Sequence, residues 1–289
     1  MKKILLSLFS LLLCLFGCGN ESLTNDQNIA FNDDYQFDYE AIEAYDGLPY
    51  VELNNNMPAF DESDLNQDSF EYYSELDDLG RCQVVYANLS QDLMPTSKRG
   101  DIYHIKPTGW QSIRYDFIEG ESLYNRCHLI AHSLAGENDN EKNLITGTRY
   151  MNAEGMLPFE EMMVDYIEET NNHVLYRVTP VFVEDELVAR GVIMEAYSIE
   201  DEGEGICFNV FCYNVQPEFV INYDSGTAYY EEEIDELSAK VEVRGNSKSK
   251  VYHMPDQSSY EDMENSRYLI IFDCEKDAID AGYRQANVK

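Results

Sequence analysis

The chain has 289 residues and a formal net charge of −35, with 55 acidic and 20 basic side chains. This charge excludes nucleic-acid binding through a broad basic surface, so any phosphate-binding site must be small and locally positive. An apolar content of 44% is enough for one large core with appendages.

The first residues have the pattern of a secretion signal. Lys2 and Lys3 precede an apolar run that is too short to cross a bilayer but suits a signal peptide. The run ends at Gly17 and Cys18, which indicates a bacterial lipoprotein signal, 1–18, with cleavage before Cys18 and lipid on its sulfur. An ordinary signal peptide cleaved nearby is the alternative. The lipoprotein pattern predicts an extracytoplasmic protein anchored to the membrane at the cell surface.

Composition divides the rest of the chain into four segments. Residues 19–43 are rich in Asn and Asp and are predicted to form a flexible tether. The main domain is expected at 44–226. Residues 227–249 are acidic and are interpreted as a linker or solvated helix, and 250–289 form a small terminal unit.

The main domain alternates strand patterns with one long helix. Strands are predicted at 49–53, 81–88, 122–125, 174–179, 187–197, 206–215 and 219–223. The helix begins at Pro158, with acidic residues in its first turn, and runs to about Thr170. Strands on both sides of one helix predict an α+β class with a mostly antiparallel sheet, which 206–215 and 219–223 continue.

A short span of this domain carries residue types that can cut a phosphodiester bond with one hydrated metal ion. It runs from Asn125-Arg126-Cys127-His128 to a segment that ends in Asn152. Histidine has an ordinary pKa of about 6.5, so His128 can take a proton from a water aimed at phosphorus. A structural histidine at a strand end is the alternative.

Asn152 is the candidate metal ligand. Its amide oxygen can hold Mg²⁺, which prefers octahedral oxygen coordination and keeps several waters. Such an ion stabilises charge on the phosphate and on the departing oxygen, and Mn²⁺ is expected to substitute. The alternative is a helix cap, for which asparagine is a favoured residue.

Two arginines and two glutamates complete the candidate site. Arg126 and Arg149 can neutralise phosphate oxygens, or else they pair with some of the many acidic side chains. Glu160 and Glu161, at the start of the predicted helix, can order metal-bound waters. Otherwise they only interact favourably with the helix dipole.

A zinc centre is the weaker interpretation of this region. His128 and His132 have the four-residue spacing of zinc pairs, but no glutamate stands between them and no third ligand is evident. Five cysteines follow the signal without C-x-x-C spacing, which argues against a disulfide scaffold and a zinc knuckle. They are Cys82, Cys127, Cys207, Cys212 and Cys274.

With these motifs in view, the chain resembles the DNA/RNA non-specific endonuclease family, the ββα-metal nucleases, and within it the branch of secreted streptodornases and DNA-entry nucleases. The similarity runs from about Gly47 to Tyr223. It is carried by ordered blocks at 72–82, 92–96, 99–100, 106–107, 109–110, 125–132, 143–152, 176–180, 208–209 and 213–217. The resemblance implies a ββα-metal nuclease fold with a central, mostly antiparallel sheet and a small C-terminal appendage.

The family signature is D-R-G-H, and this chain departs from it twice. Asn125 stands in place of the Asp and Cys127 in place of the Gly, whereas Arg126 and His128 match. The resemblance implies that His128 is the general base and that Arg126 is a motif arginine. The family chemistry implies endonucleolytic hydrolysis of DNA, with RNA as a further substrate, that leaves 5′-phosphate and 3′-hydroxyl ends.

The same resemblance assigns roles downstream of the signature. It implies Asn152 as the Mg²⁺ ligand and Glu161 as the acid that supports the water shell of the metal, with Glu160 as the adjacent alternative. Arg149 resembles an arginine found in this branch.

The terminal unit is similar to the small Ada-type metal-binding module that some secreted nucleases carry. In that module cysteines bind zinc, whereas Gln257 and Ala286 occupy cysteine positions here. Zinc takes about four nitrogen or sulfur ligands, and only Cys274 and His253 remain in this unit. The unit is therefore expected to be a degenerate, zinc-free appendage.

Two function hypotheses follow. The first is a lipid-anchored endonuclease that acts on DNA, with RNA as an alternative substrate, and uses one Mg²⁺ and no organic cofactor. The second is a nuclease-fold lipoprotein that binds nucleic acid or a protein partner without catalysis. Asn125, Cys127 and the negative charge favour the second, whereas His128, Asn152 and the two arginines favour the first. The sequence carries no signal for an oligomeric state.

Overall fold

The computed structural model describes residues 39–66, 68–257 and 259–286. The predicted signal 1–18, including Cys18, and most of the predicted tether lie outside the described residues. None of the helices in the described part combines the length and the apolar character that a membrane crossing requires.

The described chain contains fourteen short strands and few helices. In chain order the strands are β1 (Tyr50–Glu52), β2 (Phe70–Tyr73), β3 (Val85–Leu89), β4 (Tyr124–His128), β5 (Leu144–Thr148), β6 (Val174–Val181), β7 (Gly191–Ser198), β8 (Cys207–Tyr213), β9 (Phe219–Ile221), β10 (Ala228–Tyr230), β11 (Val243–Asn246), β12 (Val251–His253), β13 (Leu269–Phe272) and β14 (Arg284–Gln285). The α-helices are α1 (His132–Ala135), α2 (Leu157–Thr170), α3 (Ile234–Leu237) and α4 (Glu275–Asp280). A π-helix at Met151–Met156 leads directly into α2.

The centre of the main domain is a six-stranded sheet in the order β1-β8-β7-β6-β3-β2. Every neighbouring pair in this sheet is antiparallel. The predicted α+β class with a mostly antiparallel sheet is therefore confirmed. The helix predicted at 158–170 is also confirmed, because α2 covers Leu157–Thr170.

Helix α2 covers one face of this sheet. Phe159, Met163 and Ile167 recur every four residues and are all buried, as expected for one stripe of an amphipathic helix. They share a core with apolar side chains from the sheet, including Tyr176 and Met194. Full burial of each large apolar side chain contributes roughly 1.5–3 kcal/mol, so this contact fixes the helix on the sheet.

A polar pair on the sheet is covered by the segment before β2. Arg177 forms an ion pair with Glu195 on the neighbouring strand, at 2.7 Å. The backbone of Ala59 closes over both, since its N–H donates to Glu195 and its carbonyl accepts from Arg177. The ring of Phe60 stacks on Tyr86 beside them. The main sheet is thus protected from solvent on this side as well.

The ββα unit lies outside the central sheet. Strands β4 and β5 form a separate antiparallel hairpin in which Tyr124 faces Thr148 and His128 faces Leu144. The π-helix and α2 follow β5 without a break. Strand β4 ends at His128, so this histidine belongs to the strand rather than following it.

A buried amide joins this hairpin to the central sheet. Asn214, which follows β8, is fully buried. Its Oδ1 accepts a hydrogen bond from Thr148 N at 2.8 Å. Its Nδ2 donates to the carbonyls of Thr146 and Ala189, at 3.0 and 2.9 Å. One side chain therefore satisfies three backbone groups from two parts of the fold.

The sequence patterns missed some strands and one pairing. Strands β2 and β5 were not predicted, and the strand expected at 81–88 begins only at Val85. The expectation that 219–223 continues the main sheet is wrong, because β9 pairs with β10 in a sheet of its own. The sequence of a three-residue apolar strand indicates an extended backbone, but it does not indicate which other strand pairs with it.

The C-terminal unit is a four-stranded sheet in the order β13-β11-β12-β14, with α4 packed on it. Its first strand begins at Val243, within the segment 227–249 that the sequence suggested as a linker. That segment also supplies β10, whose Tyr229 is buried and contacts α4 through Asp280. Residues 227–249 thus contribute strands to both units.

Replacing Asn214 with alanine should destabilise the fold by about 3–5 kcal/mol, because each buried backbone group left unpaired costs about 1–3 kcal/mol. Urea unfolding followed by circular dichroism measures the loss. Asn172→Ala is the matched control, since its amide nitrogen donates only to the Tyr166 hydroxyl. A loss for Asn214→Ala no larger than that of the control would show that the amide does not hold the hairpin.

Candidate active site

A pocket of about 680 Å³ opens at the end of β4. Among its lining residues are the predicted Arg126, His128, Arg149 and Asn152. Glu160 also lines this pocket, whereas Glu161 is exposed and lies outside its lining. The structure therefore brings together four of the five predicted site residues, and of the two glutamates that the sequence offered it places Glu160, not Glu161, at the pocket.

His128 is held in one tautomer by its surroundings. The side chain is buried, with 7% of its surface exposed. Its Nε2 lies 2.8 Å from the carbonyl oxygen of Asn138. A carbonyl only accepts hydrogen bonds, so this contact assigns the proton to Nε2 and leaves Nδ1 with a free lone pair. Nδ1 faces the guanidinium of Arg99 at 3.3 Å.

The environment of His128 favours its neutral form. Burial is the main cause that lowers its pKa, to about 4, and the nearby Arg99 and His132 act in the same direction. The hydrogen bond to Asn138 opposes them. At neutral pH the imidazole is therefore uncharged and its Nδ1 can accept a proton.

Asn138 also fixes the loop that carries Arg99. Its side-chain oxygen accepts a hydrogen bond from Gly100 N at 2.9 Å, while its backbone carbonyl holds His128. A Cβ at Gly100 would come within 2.9 Å of the Asn138 Nδ2, so a side chain there would displace this amide. One residue thus sets both the histidine and the arginine that faces it.

The guanidinium of Arg126 is held in place by partners that do not neutralise its charge. Its guanidinium donates to the backbone carbonyls of Ile105 and Tyr103 and lies 4.0 Å from the ring centre of Trp110. No carboxylate of the described residues forms an ion pair with it. Carbonyl and aromatic partners leave its full positive charge on the pocket wall.

Arg149 has a partner that a ligand can replace. It forms an ion pair with Glu119 at 2.9 Å, and the Glu119 side chain is 81% exposed. An exposed ion pair is worth about 0–1 kcal/mol, so an incoming phosphate can compete for this arginine. The Nε of Arg149 is buried without a hydrogen-bond partner among the described residues.

Asn152 lies in the π-helix and not at a helix cap. The thiol of Cys127 donates to its Oδ1 at 3.0 Å, which orients the amide. Cys127 itself is buried below the pocket and does not fill it. Its bulk is accommodated by Gly147, where any Cβ would come within 2.7 Å of the Cys127 Cβ.

Glu160 is a half-buried carboxyl without a hydrogen-bond partner among the described residues. Burial raises its pKa to about 8, with Arg99 lowering it and Glu161 raising it further. Without an additional cation, this carboxyl is therefore largely protonated at pH 7. A divalent cation beside it would favour the ionised form.

The pocket has the donor set for a hydrated divalent cation. Asn152 offers an amide oxygen and Glu160 a carboxylate, both of which suit Mg²⁺. Across the described chain, no group of three or more His, Cys, Asp or Glu side chains is placed to hold a metal. Water must therefore supply most of the coordination sphere of any cation bound here.

Two nucleases are among the solved structures with a similar fold. NucA from Streptococcus agalactiae, solved with a magnesium ion bound, is 25% identical with a TM-score of 0.56, and the match covers 64% of this chain and 91% of NucA. The Sda1 nuclease, solved with a bound zinc ion, is 23% identical with a TM-score of 0.52, over 63% of this chain and 96% of Sda1. No curated protein sequence matches the chain.

The sequence model of the DNA/RNA non-specific endonucleases matches residues 62–200, a range that holds the hairpin, the π-helix and α2. Residues 62–200 form a domain of this family. The endonuclease has the ββα-metal nuclease fold that the sequence motifs implied, and the two departures from the family signature are both accommodated. Asn125 lies at the edge of the pocket, and Cys127 packs beneath it.

Two contributors to this endonuclease site were not assigned a role from the sequence. Arg99 faces the free nitrogen of His128, and Asn138 positions both. Arg99 lies in one of the family-like sequence blocks, so the arginine was visible but its target was not. Asn138 acts through its backbone carbonyl, for which the residue type gives no signal.

In the chelator-treated enzyme the imidazole of His128 should titrate at about pH 4. Because this value lies below the unfolded value of about 6.5, His128 lowers folded-state stability as pH falls through that window. Carbon-13-edited NMR of the ring Cε1–H signals, assigned with a His128→Gln spectrum, measures the midpoint. A midpoint at or above 6.5 would contradict the burial that the structure describes.

Proposed function

We propose that this endonuclease hydrolyses phosphodiester bonds of DNA, with RNA as a second substrate, using His128 as the general base and one Mg²⁺ held by Asn152. The observation that supports it best is that His128 Nδ1, Asn152 and three arginines face one pocket. Mn²⁺ is expected to substitute for Mg²⁺. NucA, whose structure contains magnesium, supports the choice of metal.

The three arginines bind the substrate phosphate. Arg126 presents a fixed charge. Arg99 and Arg149 release their present partners, His128 and Glu119, and bind phosphate oxygens instead. When Arg99 turns to the phosphate, its hydrogen bond to His128 Nδ1 is lost. The free lone pair can then accept a proton from a water that attacks phosphorus.

The bound phosphate also changes the pKa of His128. An anionic phosphate close to His128 favours the imidazolium form, so binding raises the pKa of His128 from the low value of the free enzyme. The Nε2–H bond to Asn138 keeps the ring in place while Nδ1 gains the proton. A Mg²⁺ held by Asn152 would supply charge stabilisation for the phosphate and for the leaving 3′ oxygen, which becomes a hydroxyl by taking a proton from solvent.

Glu160 is the carboxyl that we propose for ordering the waters of the metal, in preference to the exposed Glu161. Glu160 lines the pocket, whereas Glu161 does not. Anchoring at the cell surface through a lipid on Cys18 is part of the same proposal, and it rests on the sequence pattern of residues 1–18.

With Mg²⁺, the enzyme should nick and then degrade supercoiled plasmid, and a chelator should stop the reaction. His128→Ala should lower the rate about 10²–10⁴-fold, the usual contribution of a general base. Gel electrophoresis measures the rate. The early nicks should be sealed by DNA ligase, because the ends are 5′-phosphate and 3′-hydroxyl.

His173→Ala is the matched control, because this imidazole pairs with Glu200 at 2.6 Å outside the pocket. Its rate should equal that of the wild type. Undiminished cutting by His128→Ala would remove the imidazole from the mechanism. Absence of cutting by the wild type would favour a non-catalytic protein that binds nucleic acid.

Asn152→Ala should raise the Mg²⁺ concentration needed for half-maximal cleavage and lower the maximal rate at least about tenfold, because the pocket loses its amide ligand. Titration of cleavage rate against Mg²⁺ measures both quantities. Asn172→Ala, which alters an asparagine remote from the pocket lining, should leave the titration unchanged. An unaltered Mg²⁺ dependence in Asn152→Ala would exclude Asn152 as the ligand.

A further inference from the structure

An exposed aromatic side chain stands beside the catalytic pocket. Phe117 is 56% exposed. Its inner edge contacts other aromatic rings, with centroid distances of 5.1 Å to Tyr230 and 5.2 Å to Tyr115. Phe219 lies between them, 4.9 Å from Tyr115. The ring is therefore supported from behind and open in front.

The backbone around Phe117 forms a tight turn. Tyr115 N donates to the carbonyl of Glu121, and Glu121 N donates to the carbonyl of Ile118 at 2.7 Å. Ile118 is buried and anchors the turn from below. Arg114 pairs with Glu121 across its base. Phe117 is thus presented at the tip by a braced turn.

A groove of about 240 Å³ separates this tip from the π-helix. Phe117, Tyr150, Ala153 and Arg149 are among its lining residues. Arg149 lines the catalytic pocket as well, and Ala153 directly follows the proposed metal ligand Asn152. The groove therefore adjoins the catalytic pocket at Arg149.

The charges around the groove disfavour a second phosphate. Glu119, Glu154 and Glu218 line it, and Arg149 is its one basic side chain. An uncharged planar group next to Arg149 fits this combination of apolar wall and acidic rim. In a nucleic-acid substrate, that group is a base.

We propose that the groove binds an unpaired nucleobase of the substrate strand, adjacent to the scissile phosphate and stacked against Phe117. This inference rests on the proposed function, because it takes the catalytic pocket as the phosphate site. Stacking on aromatic rings is tolerant of sequence and does not require positive charge. It supplies affinity that a chain of net charge −35 cannot obtain from its surface.

A thermodynamic cycle between protein and ligand tests the contact without turnover. The dissociation constant is measured by fluorescence anisotropy in excess chelator, for a labelled single-stranded deoxyoligonucleotide and for an abasic strand of equal length. Phe117→Ala should weaken binding of the normal strand about tenfold, given a stacking contribution of about 1–3 kcal/mol per base. Phe117→Ala and the wild type should bind the abasic strand equally, since neither complex then contains a stacked base.

Three further variants separate stacking from packing. Phe117→Trp should bind the normal strand at least as tightly as the wild type. Phe117→Leu keeps apolar bulk behind the turn but has no aromatic ring, so its affinity for the normal strand should fall by most of the tenfold expected for Phe117→Ala. Leu79→Ala removes an exposed apolar side chain, 42% exposed, that lines neither pocket, and it should have no effect. Wild-type affinity of Phe117→Ala for the normal strand, or an equal loss on both strands, would overturn the inference.

The binding result and the cleavage result are independent. If the wild type fails to cut plasmid but the four binding constants behave as described, the proposed enzyme function is wrong and the base-stacking inference is supported. If the wild type cuts plasmid and Phe117→Ala binds both strands like the wild type, the stacking inference falls and the enzyme function stands.

Discussion

The geometry of the site depends on one buried amide, that of Asn214. The hairpin that carries His128 is not part of the central sheet, so β5 presents unpaired backbone groups on the side away from β4. Asn214 satisfies Thr146 and Thr148 on that edge while it also holds Ala189. Burial strengthens these hydrogen bonds and makes their loss costly. The side chain thereby replaces a strand pairing and fixes where the end of β4 lies.

The chain is strongly acidic overall, but its pocket is positive because of where individual charged side chains lie. Arg126 is held by neutral carbonyls and an indole ring, so its charge is not cancelled by any described carboxylate. Arg149 keeps only an exposed partner. Among the acidic side chains of the described residues, only Glu160 lines the pocket, and that carboxyl has a raised pKa. The repulsion that a net charge of −35 exerts on nucleic acid is countered at the one place where phosphate must bind.

The sequence predicted which residues line the pocket more completely than it predicted the strand pairings. His128, Asn152 and both arginines meet at one pocket, because their motifs occupy a hairpin and the helix that follows it. Helix α2 was predictable from Pro158 and the four-residue spacing of its apolar stripe. The π-helix was not, because its extra residue per turn leaves no periodicity in a six-residue segment. Whether Glu160 or Glu161 faces the pocket depends on this π-helix, because it sets the rotation of α2 about its axis and so determines which of the two neighbouring acids turns towards the pocket.

The departures from the family signature can be judged by what each side chain touches. Cys127 lies opposite Gly147, where no Cβ fits, and its thiol donates to the Asn152 oxygen that would face the metal. A larger residue in place of glycine therefore adds an orienting contact instead of blocking the site. Asn125 keeps the shape of an aspartate but removes a negative charge from the rim, which lessens repulsion of phosphate. Neither substitution therefore fills the pocket or adds a negative charge to it.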